Sequence, residues 1–226
     1  MKKLFVIAAA MALIASCMNV NFNGGKAVVC EGPVVEKDME GLTGYEGITV
    51  NGSIDLYFSQ ASTYSVSVKA NEEVYDYLDY RVEEGVLILG TKDNINIRAK
   101  EYKVTVTLPT LSKIHVNGAA DVYQVGEYSS DKPLNIHVNG AGDLNLKEKL
   151  SVPSISIHVN GAGDIRIPSM DVDELSIKVN GAGDALLGGK AASAHFSVNG
   201  AGDIDARNLE CTDVTTQKAG LASIRL

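Results

Sequence analysis

VNGAAD at residues 116–121 returns as VNGAGD at 138–143, 159–164, 179–184 and 198–203. Taking the Asn of each phrase as a marker, Asn117, Asn139, Asn160, Asn180 and Asn199 follow one another at intervals of 22, 21, 20 and 19 residues. A period near 20 is the mark of a chain built from stacked, similar units. A worn version of the phrase runs from Lys218 to Ile224. Val50–Asp55 (VNGSID) lies 66 residues before the first full copy, which leaves room for three further units.

The flanks of each phrase set the secondary structure. Ile155, Ile157 and Val159 alternate with Ser156 and His158, and beyond the turn Ile165 and Ile167 alternate with Arg166. Leu175, Ile177 and Val179 repeat the pattern against Ser176 and Lys178. Period-two alternation rich in β-branched side chains means strands with one buried face. No segment of helical length and period separates the repeats. Each unit is therefore strand, NGAGD corner, strand and a second corner, with Lys147–Pro153, Pro168–Glu174 and Leu187–Ala192 absorbing the drift in period. A meander of hairpins and a stacked coil both fit this pattern. Recurrence in register favours stacking: an all-β parallel β-helix or solenoid of two facing sheets, about 20 residues per coil, with glycine-rich corners.

The phrase itself reads as turn chemistry. Gly161 and Gly163 supply backbone freedom where the chain reverses, and Ala162 suits a corner with little room. Asn and Asp bond the backbone groups that a turn sets free, as in Asx-turns. This assigns Asn117, Asp121, Asn139, Asp143, Asn160, Asp164, Asn180, Asp184, Asn199 and Asp203 to a structural turn ladder.

The first half has another texture. Residues 45–110 hold seven of the nine tyrosines and no NGAGD. Strand patterns recur at Ile48–Val50, Ile54–Phe58, Tyr64–Val68, Val86–Leu89 and Lys103–Leu108. The stretch from Asn71 to Leu78 resembles a short helix, with Asn71 as its cap and Val74, Tyr77 and Leu78 on one face. The domain is read as residues 28–226, irregular over 28–113 and regular over 114–226.

Ahead of it, Lys2 and Lys3 precede an eleven-residue apolar run, Leu4 to Ile14. As a helix this run would reach only about 16 Å, too short to span a bilayer. It reads as a secretory leader over residues 1–16. Ile14-Ala15-Ser16-Cys17 resembles the lipobox of bacterial lipoproteins, which implies lipidation at Cys17 and a lipid-anchored linker over 17–27. Without the leader, which holds Lys2 and Lys3, 18 basic groups face 28 acidic ones, a net charge of −10. Such a balance, with no basic cluster, argues against nucleic acid and against charge-driven binding to an anionic surface. Cys30 and Cys211 remain, and whether they are bridged stays open, because a disulfide needs Cα atoms within about 7 Å.

Three chemical readings of the repeat are weaker. Stacked carboxyls about 4.8 Å apart approach the separation used by a retaining glycosidase. Five equivalent copies, however, are not a differentiated acid–base pair, and the chain has no Trp to stack a sugar. The calcium repeat GGxGxD recurs at nine residues, which GxGD at about twenty does not match. His115, His137 and His158 each sit two residues before the corner Asn and form an outward stripe. Lys178 and Ser197 then take that column, so a solvated face is expected rather than a metal site, and no cofactor is implied. GxSxG, HExxH and CxxC do not occur.

The leader with its lipobox, the EGITVNGSIDLYFSQ entry, the VKANEEVYDYLDYRVEEGVLIL middle and the VNGAGD corners together resemble the bacterial auto-transporter adhesins of the head GIN domain family, a domain of unknown function common in Bacteroides-like organisms. The resemblance covers roughly residues 28–226. The family's corners usually read SGSGD or SGAGD, with Ser where this chain has Asn. It implies a β-helix with glycine corners, a role in cell adhesion inferred from that shape, and no catalytic residues. The expectation is a non-enzymatic outer-membrane lipoprotein of the cell envelope, an adhesin or scaffold held to the membrane by its lipid. Its partners would be a host or cell-surface protein or glycan, or a second copy at an exposed solenoid end. The rival is a carbohydrate-binding or carbohydrate-active protein of the pectin-lyase-like β-helix type. Family members usually run one or two coils further than Leu226, so either more coils follow or the last edge docks on another molecule.

Overall fold

The computed structural model describes residues 18–22, 25–92 and 95–226, so the leader and Cys17 lie outside the described residues. The described chain is all-β, with a 3-10 helix at Glu72–Tyr77. From Lys113 onward each phrase pairs in parallel with the phrase of the next coil, residue for residue. Asn117 faces Asn139, Asn139 faces Asn160, Asn160 faces Asn180 and Asn180 faces Asn199. Identical alternation on every rung puts like over like. Ile114, Ile136, Ile157, Ile177 and Phe196 form one buried column, and Val116, Val138, Val159, Val179 and Val198 form a second. Each aliphatic side chain buried this fully contributes about 1.5–3 kcal/mol relative to exposure.

Beyond the corner a second ladder forms. Val122 pairs with Leu144, Leu144 with Ile165 and Ile165 with Ala185, all buried. A third, short ladder joins Tyr128–Ser129, Leu150–Ser151, Met170–Asp171 and Gly189–Lys190. The reading of two strands per coil lacked this element, because two residues are too short to show alternation. In place of two facing sheets, the described strands form one 16-stranded mixed sheet and a separate 3-stranded sheet. The drift in period is taken up in the second corners, as the last pair of coils shows. The register shifts by one residue between Ile167 and Met170, and the offset falls from 20 at Ile165↔Ala185 to 19 at Glu174↔Ser193.

The three units expected between Val50 and Val116 are absent. Asn51 pairs directly with Asn117, so the VNGSID phrase is the adjacent rung. The intervening chain turns back and lies against the other side of that rung. Val86–Thr91 pairs in parallel with Gly47–Gly52, and Tyr102–Leu108 pairs in parallel with Asp55–Gln60. Antiparallel strands then close this end: Leu78–Glu83 on Val86–Thr91, Ser65–Asn71 on Tyr102–Leu108, and Val34–Asp38 outermost. Charged side chains blunt the edge, as Arg81 bonds both Asp79 and Glu83 at 2.6 Å. In the smaller sheet, Met18–Phe22 pairs with Gly25–Cys30, which pairs with Asn96–Ala99. Cys30 is buried and Cys211 half-buried, and the two are not bridged to one another.

Asn71 does precede the 3-10 turn, yet its side chain caps nothing. It is fully buried, donates to the Gly32 carbonyl at 2.6 Å and accepts the Lys100 N–H at 2.8 Å. A buried amide needs partners on both ends, and long-range backbone groups supplied them before the adjacent turn.

Candidate functional site

The corner is the most repeated feature of the molecule, and its polar groups are committed to the neighbouring coil. The Asp121 carboxylate accepts the backbone N–H of Asp143 at 2.8 Å. Asp143 does the same for Asp164 (2.9 Å), Asp164 for Asp184 (3.0 Å) and Asp184 for Asp203 (2.8 Å). The expected Asx-turn would have bonded each carboxylate within its own turn. Stacking brings the next rung's amide nearer, so the bond is made between coils. The Asn column forms a second ladder: Asn117 donates to Asn51, Asn139 to Asn117, Asn160 to Asn139 and Asn180 to Asn160, at 2.9–3.3 Å. Asn199 continues the register opposite Asn180.

The glycines are required by the same stacking. Gly161 has φ +143°, and a Cβ there would sit 1.9 Å from the Gly140 carbonyl oxygen. Ala162, by contrast, is exposed, so shortage of room does not account for it.

Two different surfaces flank the corner. On the far side, the Arg166 guanidinium bridges the carboxylates of Asp143 (3.2 Å) and Asp164 (2.7 Å), and Arg225 reaches Asp203 at 2.8 Å. At the start of this column Tyr57 and Tyr123 stack with ring centroids 4.5 Å apart, and the Lys103 ammonium lies 3.8 Å over Tyr57. The Tyr123 hydroxyl donates to Asp121, and burial together with that carboxylate lifts it to about 12. Burial first, then Asp121, raises Asp55 above the usual carboxylate range. The sequence reading missed Asp55, Tyr57, Lys103 and Tyr123 as a group. Placing VNGSID in the adjacent rung would have revealed all but Lys103.

On the near side His115, His137 and His158 stand in register, with centroids 5.8 and 4.9 Å apart. Burial, then Lys113 and His137, lowers His115; burial, then His137 and Lys178, lowers His158. His195 pairs with Ser176 one column away and bonds Thr215 at 2.8 Å, beside an open groove of about 360 Å³ that Glu174 and Ser156 also line. Among the described residues no group of three or more His, Cys, Asp or Glu is placed to hold a metal ion.

Residues 44–133 and 127–226 each match the family model described as "Putative auto-transporter adhesin, head GIN domain". The chain belongs to this family. No curated protein matches it. Crystal structures that share the head GIN chain's fold include three from Bacteroides-like organisms. A "putative adhesin" from Parabacteroides distasonis ATCC 8503 is 22% identical, with TM-score 0.77 over 88% of this chain and 84% of the other. A "putative lipid binding protein" from the same organism is 20% identical, with TM-score 0.76 over 88% and 96%. A "putative adhesin" from Bacteroides fragilis NCTC 9343 is 18% identical, with TM-score 0.69 over 87% and 98%. At these identities the likeness is one of fold.

Proposed function

We propose that this head GIN chain is a non-enzymatic adhesin of the cell envelope, anchored in the outer membrane through an acylated Cys17. Its repeats would form a β-solenoid that holds its outer side chains in fixed columns for contact with a protein or glycan on another surface. The observation that supports this reading is the corner ladder: the carboxylates of Asp121, Asp143, Asp164 and Asp184 each hold a backbone amide of the next coil. A catalytic pair needs two carboxyls with different tasks, whereas these four share one task, which is to lock successive coils. The family's description as an adhesin agrees with such a scaffold.

The test has two arms. Cells expressing the full chain are labelled with a radioactive fatty acid and scored for attachment to host-cell monolayers; the label is expected on the wild type and lost in Cys17→Ala, with attachment falling in parallel. The purified protein is also incubated with a polysaccharide panel. Release of reducing ends above an Asp164→Asn, Asp184→Asn control would overturn the non-enzymatic reading.

A further inference from the structure

All four histidines of the chain lie on one outer face, and three of them share a column. The column runs Thr49, His115, His137, His158, Lys178, Ser197 across successive rungs. Lys113 sits on the same rung and face as His115, two residues earlier. We propose that this strip is a pH-gated binding site for a linear acidic polysaccharide. The inference rests on the adhesin reading and names its ligand class.

Local charge carries the argument. Composition alone speaks against an anionic ligand, since the chain has a net charge of −8. Composition cannot see that the column itself holds no carboxylate. Over residues 113–117, 135–139, 156–160 and 174–180 the charged and titratable outward groups are Lys113, Lys178, the histidines and one acid, Glu174, at the far edge of the face. At the other end the column continues past Thr49 to Ile88 and Arg81, whose guanidinium holds Asp79 and Glu83. Asp213 joins Glu174 in the groove beside His195. The aspartate column lies across the corner, with the Asn ladder between. Near neutral pH the strip bears two ammonium groups, and protonation of three imidazoles raises that to five charges.

The hydrogen bonds say which groups are ready for a ligand. The Asn ladder fixes the Asn139 amide, whose Nδ2 donates to Asn117 and also to Nε2 of His115 at 2.9 Å. With the Asn139 Nδ2 as donor, the His115 Nε2 accepts, and a proton on that nitrogen breaks the bond. His137 and His158 make no hydrogen bond among the described residues and touch one another edge to face. Neighbouring imidazolium rings this close repel, so an anion lying over them favours their charged form, and binding and proton uptake are linked.

Geometry selects the ligand's shape. Four rungs at about 4.8 Å make a strip about 14 Å long and one side chain wide. A line of evenly spaced cations suits a polymer with one carboxylate per sugar unit, whose sites bind as one multivalent set. A flat anionic membrane would also press on the aspartate column around the corner and be repelled.

Polygalacturonate is the probe, with galacturonate monomer, neutral dextran and phosphatidylglycerol vesicles as comparison arms. Binding to the full chain is measured by calorimetry at pH 7.5 and 5.0, where the polymer stays ionised. The polymer is expected to bind roughly ten-fold tighter at pH 5.0, the sum of about three exposed ion pairs, with net proton uptake. The monomer and dextran should not respond. His115→Gln/His137→Gln/His158→Gln should lose the pH gain and the proton uptake while keeping its circular dichroism, and Lys178→Gln should weaken binding at both pH values. His195→Gln, off the column, should leave the gain in place. Binding without pH dependence, an unchanged gain in the triple variant, or equal binding to vesicles would overturn the proposal. If the triple variant still attaches to cells as the wild type does, this inference fails and the adhesin reading stands. Attachment lost in Cys17→Ala, with the purified protein still gated by pH, supports both this inference and the anchor.

Discussion

Between residues 113 and 203 the same phrase returns in register on each coil, with a worn copy at 218–224, whereas between 25 and 108 it stands once, as VNGSID. Both regions bury aliphatic columns of the same kind, so apolar burial does not separate them. The difference lies in how buried or bent backbone is satisfied. The repeat half spreads the work over many similar bonds, one Asp carboxylate and one Asn amide per rung. The first half concentrates it in single side chains. Asn71 spans Gly32 and Lys100, the buried Tyr45 hydroxyl donates to the carbonyls of Ser65 and Thr107, and Tyr80 and Tyr102 share a bond of 2.9 Å. A distributed ladder tolerates the loss of one bond but not of its spacing; a concentrated tie fails when its one residue is removed.

Spacing is where the largest effect is expected. Gly161→Ala places a methyl 1.9 Å from a backbone oxygen that no rotamer can move, at φ +143°. Strain and forced separation of two rungs should exceed about 4 kcal/mol. Gly126→Ala is the matched control, with φ +76° and open space around it, and should cost roughly 1–2 kcal/mol. Urea unfolding of both variants checks the contrast, and equal costs would mean that the coils are not in contact at their corners.

Next comes the concentrated tie against the distributed one. Asn71→Ala removes a fully buried amide and leaves the part-buried Lys100 N–H and Gly32 carbonyl without their side-chain partner, and should cost about 2–4 kcal/mol. Asp164→Ala frees the Asp184 N–H and one arm of Arg166, in a half-exposed setting where water replaces part of the loss, and should cost about 1–2 kcal/mol. Asp164→Asn keeps an acceptor oxygen and should recover about half of that. If Asp164→Ala proves the costlier change, the division between the halves is wrong.

Alkaline titration should strike the first half first. Burial raises Tyr102 to about 12 and holds Tyr80 well above the usual phenol range. Phenols whose native value lies above the unfolded value of about 10 bind more protons folded than unfolded. Their contribution is therefore complete below pH 10 and is lost as the pH rises through 12. Hydrogen exchange near pH 10.5 should show strands 78–83 and 102–108 opening before strands 154–182. Simultaneous opening would make the two regions one cooperative unit.

How much of this was legible beforehand depends on repetition. The corner phrase, the strand alternation and the drift-absorbing second corners were readable because each was written several times. The direction of the Asp bonds was not, since an Asx-turn and a bond to the next coil require the same residue at the same place. The adjacency of Asn51 and Asn117 was hidden by sequence distance: 66 residues look like three coils when the chain is assumed only to climb. The side-chain role of Asn71 was masked by a good local alternative, a helix cap. Tyr57, Tyr123 and Lys103 come together through register alone, which no local pattern records.

The smallest effect expected sits at the other end of the pH scale and in the other half. His115 and His158 have values lowered by burial first and then by cationic neighbours. A histidine lowered in this way binds fewer protons folded than unfolded, so stability is full above the unfolded value near 6.5 and declines as pH falls through the lower native value. Asp205 lies well outside this window, held to about 2 by its bond to Arg207. A urea series at pH 7.5, 6.5 and 5.5 should therefore show a shallow fall in midpoint that vanishes in His115→Gln/His137→Gln/His158→Gln. The decline should also shrink when polygalacturonate is present, because a ligand that favours the charged strip stabilises the folded state at the pH where the rings repel. A midpoint that falls equally in the wild type and the triple variant would move the acid sensitivity from the histidine column to the aspartate ladder.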